Sequence, residues 1–103
     1  MFRQGDIALI PVDDVPAGLK KVPREKGRMV LAHGEVTGHA HVIEGDAVFL
    51  AEDLAEMEGR FLKVEQECSL VHDEHSTIQV PPGSYEVRRQ REYAPEAPLW
   101  VAD

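Results

Sequence analysis

All five histidines of this 103-residue chain fall in two short stretches: His33, His39 and His41 in the first, His72 and His75 in the second. Neutral imidazole offers a nitrogen lone pair near pH 7, so histidine serves as acid, base or metal ligand. His39 and His41 are separated by one residue. On a strand, where side chains alternate, that spacing puts both rings on one face, close enough to share one metal ion. The chemistry of such a donor set suits a divalent transition metal: zinc, iron, nickel or manganese. Gly34 and Gly38 flank the pair and allow the backbone to turn sharply beside it.

His72 and His75 are three residues apart. A regular strand would point them to opposite faces, so both serve one site only if a turn or bulge lies at Asp73 and Glu74. Glu44, three residues beyond His41, is a candidate ligand or base if the turn at Gly45 swings it inward. Glu35 is a further catalytic candidate, and His33 has the place of a strand-end residue. The expected metal ligands are therefore His39 and His41, completed by His72, His75 or Glu44. Three protein ligands with an open position would suit a small oxygenated ligand.

Two other functions use the same residues. A metal-free enzyme would employ His39 or His41 as base and acid on an ester or phosphodiester, with Arg89 or Arg91 beside the substrate. A non-enzymatic binding or oligomerisation module would hold its histidines as structural or pH-sensing groups.

The elements that must position these residues are short. Strand-length apolar runs occur at residues 7–10, 29–32, 39–43, 47–50, 60–64, 69–72, 77–80 and 99–101. Glycine and proline punctuate them, and residues 85–93 alternate, with Tyr85, Val87, Arg89, Arg91 and Tyr93 on one face and Glu86 and Arg88 on the other. Gly45-Asp46 has the form of a two-residue hairpin turn, with residues 47–50 expected to pair back on 39–43. At most one short helix is expected, near residues 53–58, ended by Gly59. Strands spaced every 8–12 residues describe an all-β protein, a single small barrel or sandwich spanning residues 1–103.

The order of the motifs resembles that of the cupins. Gly34, His39, Ala40, His41 and Glu44 match the cupin pattern of a glycine, His-x-His and a glutamate, and Pro81-Pro82-Gly83 matches a later Pro-x-Gly motif. The resemblance spans about residues 34–86. It implies a β-barrel that holds a metal on inward-facing strands through His39, His41 and Glu44. Two residues separate His41 from Glu44 where cupins have three or four, and Glu86 stands where the second motif carries histidine. Glu86 is thus the substitute ligand that the resemblance implies. The chain also resembles small uncharacterised proteins of bacteria and phages, a likeness that implies no activity.

Composition narrows the partners. Nineteen acidic against eleven basic residues give a net charge of −8, the wrong sign for neutralising a phosphate backbone, so nucleic acid is not an expected partner. Ten of the carboxylates lie within residues 44–74, while basic residues gather at 20–28 and 88–91. That asymmetry fits a solvated surface or a self-complementary contact between two copies. The arginines among residues 85–93 are expected to pair across the sheet with that acidic stretch. The single cysteine, Cys68, excludes an intramolecular disulfide and four-cysteine zinc modules, and has the setting of a buried small hydrophobe. Asp6 follows Gly5 and has the character of a turn residue. With no membrane-length apolar run and no secretion-type start, the expectation is a cytoplasmic protein with a small-molecule ligand, closing its strand edges as a homodimer.

Overall fold

A computed structural model describes residues 1–34 and 39–89. Ten strands follow one another: β1 (Phe2–Gln4), β2 (Ile7–Val12), β3 (Lys20–Lys21), β4 (Met29–His33), β5 (Ala40–Glu44), β6 (Ala47–Asp53), β7 (Glu58–Val64), β8 (Cys68–Val71), β9 (Ile78–Val80) and β10 (Gly83–Arg89). They form two antiparallel sheets. The larger has the order β1-β2-β10-β7-β6-β3 and the smaller β4-β5-β8-β9. The sheets do not close into a barrel; the architecture is that of a sandwich.

Alternation decides which residues fill the space between the sheets. Ile7 and Leu9 of β2, Leu62 and Val64 of β7, and Tyr85 and Val87 of β10 turn inward from the larger sheet. Leu70 of β8, Val80 of β9 and Ile43 of β5 meet them from the smaller one. Burying each such side chain contributes about 1.5–3 kcal/mol. A bulge between Val30 and Ala32 breaks the alternation of β4. Leu31 and Ala32 both reach this core as a result, while Val30 joins Ala40 and Val42 in a small separate cluster.

One expectation fails here. Gly45-Asp46 is not a hairpin turn: β5 pairs with β4 and β8, and β6 pairs with β7 and β3. The chain crosses from one sheet to the other at this point. The Asp46 carbonyl accepts the Glu65 N–H at 2.9 Å, and Gly45 adopts φ +135 with Cys68 Sγ 2.7 Å from where a Cβ would stand. Residues 53–58, where at most one short helix is expected, form none. Asp53 Oδ1 accepts the N–H groups of Ala55 and Glu56 at 2.9 and 3.0 Å, and Met57 takes the left-handed conformation, φ 53. This local capping closes a β6–β7 hairpin instead.

β2 runs through Pro11, which sits opposite Tyr85 beyond the reach of β1, so its missing N–H interrupts no ladder on that side. No helix is present among the described residues, so none there is long and apolar enough to cross a membrane. The expected strand at 99–101, together with Glu35, Gly38, Arg91 and Tyr93, lies outside the described residues.

Candidate functional site

The imidazoles meet at one end of the sandwich. β5 and β8 pair with Val42 opposite Val71, and one step further the same register sets His41 opposite His72. His41 shares its face with Ile43 and His72 shares its face with Leu70, so both rings turn into the space between the sheets. Their centroids are 4.5 Å apart. His75 joins them, 4.6 Å from His72 and stacked on His41 at 6.0 Å. His39 closes the group with its ring centroid 5.8 Å from that of His72.

The turn that His75 requires is built by His72 itself. The Glu74 N–H donates to His72 Nδ1 at 3.0 Å, reversing the chain and bringing residue 75 back over residue 72. This bond assigns Nδ1 of His72 as an acceptor and leaves Nε2 as the other ring nitrogen. Gly34 borders it; a Cβ there would lie 3.5 Å from His72 Nε2. Gly5 borders His75 more closely, since a Cβ at Gly5 would stand 2.6 Å from His75 Nε2.

His41 is the most constrained of the four. Gln4, 1% exposed, donates its amide N–H groups to the carbonyls of Leu70 at 2.8 Å and Ser76 at 2.9 Å. Its Oε1 therefore faces His41 Nδ1, at 2.9 Å, and as an acceptor it requires the proton of His41 to sit on Nδ1. Nε2 of His41 faces a second acceptor, Asp6 Oδ1, across 3.3 Å. Asp6 is held in turn by Arg89, whose Nη2 donates to Asp6 Oδ2 at 3.0 Å and to the His33 carbonyl at 2.9 Å. Gln4 and Arg89 thus tie the larger sheet to the smaller one on either side of the histidines.

Burial pushes the His41 pKa down to about 4, reinforced by His72 and His75 and opposed by the Asp6 charge. Burial also lowers that of His72, with His75 and His39 acting in the same direction. Burial of the Asp6 carboxyl raises its pKa, but the hydrogen bond and charge of Arg89 outweigh that effect and hold it below the ordinary value. The site near pH 7 is therefore a carboxylate beside the neutral imidazoles of His41 and His72, with the Nε2 lone pair of His41 directed at Asp6.

His39 is half-buried near two carboxylates. Its Nδ1 lies 3.3 Å from Glu74 Oε1 without hydrogen-bond geometry, and its Nε2 is 3.8 Å from Asp73 Oδ2. Among the described residues, no three His, Cys, Asp or Glu side chains already aim their donors at one point.

The remaining candidates fall elsewhere. Glu44 is exposed and shares the face of Ala40 and Val42, opposite to that of His41, beside a shallow pocket of about 170 Å³. Gly45 does not swing it inward because the chain leaves the sheet there. Glu86 lies on the outer face of β10, where it accepts from Arg88 Nε at 3.0 Å, so the ligand implied by the cupin pattern is directed away from the histidines. His33 ends β4 and pairs with Glu25 at 2.8 Å on the surface. Cys68 is buried and donates to the Gln66 carbonyl. Arg88 and Arg89 find Glu86 and Asp6, carboxylates outside the acidic stretch 44–74.

Gln4, Asp6 and Arg89 complete the surroundings of the imidazoles; the sequence offered Arg89 only beside the substrate of a metal-free enzyme and Gly5-Asp6 only as a turn, and Gln4 carried no signal. A family model described as a domain of unknown function, DUF8820, matches residues 3–90, a span that includes every residue of the cluster. The chain belongs to this family. The match is to DUF8820 and not to the cupins, and no curated protein or solved structure matches the chain. In this chain the DUF8820 domain is an all-β sandwich whose two sheets meet over four histidines and one carboxylate.

Proposed function

We propose that this DUF8820 protein is a small metal-binding protein, with His41, His72 and Asp6 as the principal ligands to a divalent transition metal and His75 or His39 completing the set. The observation that carries this reading is the pair His41 Nε2 and Asp6 Oδ1. Two acceptors face each other at 3.3 Å, and the one ring proton of neutral His41 is already committed to Gln4. A second proton on His41 is opposed by burial. A cation between the two groups satisfies both. The separation is also of the size found between neighbouring ligands on one ion, whose bonds to N and O are about 2.0–2.2 Å.

The donor chemistry fits: neutral imidazoles, a carboxylate with a depressed pKa, and a carboxamide fixing the tautomer of the central ligand, the arrangement by which metal-ligating histidines are oriented. The side chains do not form a ready cage, so ring rotations of His72 and His75 accompany binding. When bound, such a metal supplies a Lewis-acidic centre that polarises an oxygen ligand. The chain's own part is to hold His41 in one tautomer through Gln4, to keep Asp6 ionised through Arg89, and to exclude water from the inner side of the rings. The cupin-like element of this proposal is limited to a His-x-His strand in a β-sandwich; the ligand set differs.

Elemental analysis of untagged protein, followed by calorimetric titration with Zn²⁺, Ni²⁺, Mn²⁺ and Fe²⁺, tests the proposal. About one equivalent of metal is expected, lost in the His41→Ala/His72→Ala variant. Affinity weaker than about 1 mM for all four ions overturns it.

A metal-free reading is favoured by one observation, the lack of three convergent donors among the described residues. Asp6 and His41 would then form a carboxylate–imidazole pair with His41 Nε2 as the proton-accepting base. Hydrolysis of a model ester or phosphodiester that persists in chelator and vanishes in His41→Ala would select it.

A further inference from the structure

A cavity of about 400 Å³ lies at the β4 end of the smaller sheet, enclosed by β4, the β6–β7 hairpin and the segment that joins β3 to β4. Its size falls in the range of small-molecule sites, about 300–1,000 Å³. Val22, Val30, Leu31, Ala32 and Met57 line it with apolar surface. Three of these residues are consecutive. The bulge of β4 accounts for that, because it breaks the alternation that otherwise turns every second residue away. The outer wall is fastened to the rest of the molecule. The Val22 N–H donates to the Phe49 carbonyl at 2.9 Å, and Glu25 and Arg28 exchange backbone hydrogen bonds at 2.9 and 3.0 Å. A ligand therefore meets a formed wall and does not have to order a loop before it binds.

The charged residues on the wall decide what kind of ligand fits, and they are engaged within the protein. Glu25 pairs with His33 at 2.8 Å, and Arg24 Nη1 donates to the Gly27 carbonyl at 3.4 Å. Arg89 Nη2 donates to Asp6 at 3.0 Å and to the His33 carbonyl at 2.9 Å. Arg60, only 6% exposed, also has its own partner. None of these charges calls for an ion from solution. A charged ligand would shed hydration on entry without meeting an opposite charge free to answer it, and that costs free energy. A neutral apolar molecule carries no such cost. It displaces water that finds few hydrogen-bond partners along an aliphatic wall.

We propose that this cavity binds a small neutral molecule with an apolar body, packed on Leu31, Ala32 and Met57. Charge of either sign on the ligand opposes binding. Arg89, which borders both the cavity and Asp6, keeps its bonds when the cavity fills, so the site does not depend on a metal at the histidines.

Benzyl alcohol, benzoate and benzylammonium share nearly one shape and differ in charge, so they isolate this preference. Methyl-detected NMR titration of the full chain, kept in chelator, compares them. Benzyl alcohol is expected to bind saturably at one site, with a Kd of about 10 mM or tighter, and to shift the methyl resonances of Leu31, Ala32 and Met57. Both ions should bind at least about tenfold more weakly. Val22→Trp, which places an indole at the half-buried lip of the cavity, should abolish saturable binding of benzyl alcohol. Failure of benzyl alcohol to saturate would overturn the proposal. So would affinity for either ion equal to or above that for the alcohol, shifts that spare Leu31, Ala32 and Met57, or undiminished binding by folded Val22→Trp. The methyl shifts of the unaltered protein locate the site without any variant. Because chelator is present throughout, the outcome is independent of metal binding by the histidines.

Discussion

His41 Nε2 and Asp6 Oδ1 lie 3.3 Å apart with no proton assigned to either, because the Gln4 amide has fixed the ring proton of His41 on Nδ1. This relationship makes Asp6→Asn the most direct probe of the site. The substitution keeps the shape and supplies an N–H that donates to Nε2, so the fold should survive. The carboxylate ligand is lost and the lone pair of His41 is occupied. Metal affinity is expected to fall by at least the roughly 10–100-fold seen when residues supporting a metal ligand are changed. Competition against a metallochromic chelator measures the loss. Unchanged affinity would remove Asp6 from the ligand set.

Stability of the metal-free protein should fall on acidification through a defined window. The His41 pKa is about 4 in the folded state against an ordinary value of 6.5. Between these values the unfolded chain binds the proton and the folded chain does not, so unfolding becomes more favourable as pH drops. The stabilising contribution is complete above pH 6.5 and is lost progressively as pH falls toward 4. Its full size is on the order of 3 kcal/mol, from about 1.36 kcal/mol per pKa unit. His72, whose pKa is also lowered, adds in the same direction. Urea midpoints measured in chelator from pH 7 to pH 4 should show the decline, and His41→Leu should flatten most of it. A wild-type midpoint that stays constant over this range would contradict the neutral, buried state of His41.

Gly5→Ala separates the site from the fold. Gly5 adopts φ +58, and a Cβ there would meet His75 Nε2 at 2.6 Å. The left-handed conformation costs a non-glycine residue about 1–2 kcal/mol. The clash falls on the end of a half-buried side chain, which yields by rotating away. The expected result is a modestly destabilised, folded protein in which His75 is displaced. If His75 completes the ligand set, metal affinity should drop about tenfold or more, and the His75 imidazole resonances should shift on substitution. Affinity equal to wild type would assign the completing position to His39.

Much of this arrangement is legible in the residues. The alternation of His39 and His41 placed both rings near His72, and the requirement for a turn at Asp73 and Glu74 is met by the His72 ring accepting the Glu74 N–H. The two sheets were not legible, because residues 39–43 and 47–50 alternate equally well whether they pair with each other or with distant strands. What sends β5 and β6 to different sheets is the packing of Gly45 on Cys68 and the anchoring of Asp46 by Glu65, contacts with residues some twenty positions away. Glu44 was misplaced for the same reason. Gln4 and Asp6 were missed as site residues because a turn aspartate and a strand glutamine look the same in sequence whether they face water or a buried imidazole.

Gln4→Leu tests whether the amide acts as the fastener of the site. Gln4 joins β1 to the carbonyls of Leu70 and Ser76 and to His41 Nδ1, three hydrogen bonds from a fully buried side chain. Leucine matches its size and leaves the Leu70 carbonyl and the His41 N–H without these partners. Each buried polar group left unsatisfied costs about 1–3 kcal/mol, so a total loss of about 2–5 kcal/mol is expected in denaturant unfolding. The loss should be accompanied by a release of the His41 tautomer, since nothing then holds the proton on Nδ1. Nitrogen-15 shifts of the His41 ring, distinct for the two tautomers, should move from a single protonated Nδ1 to a mixture. A destabilised variant whose His41 remains wholly in the Nδ1–H form would show that the Gln4 amide is not what holds the proton there, since Asp6, an acceptor facing Nε2, favours the other tautomer.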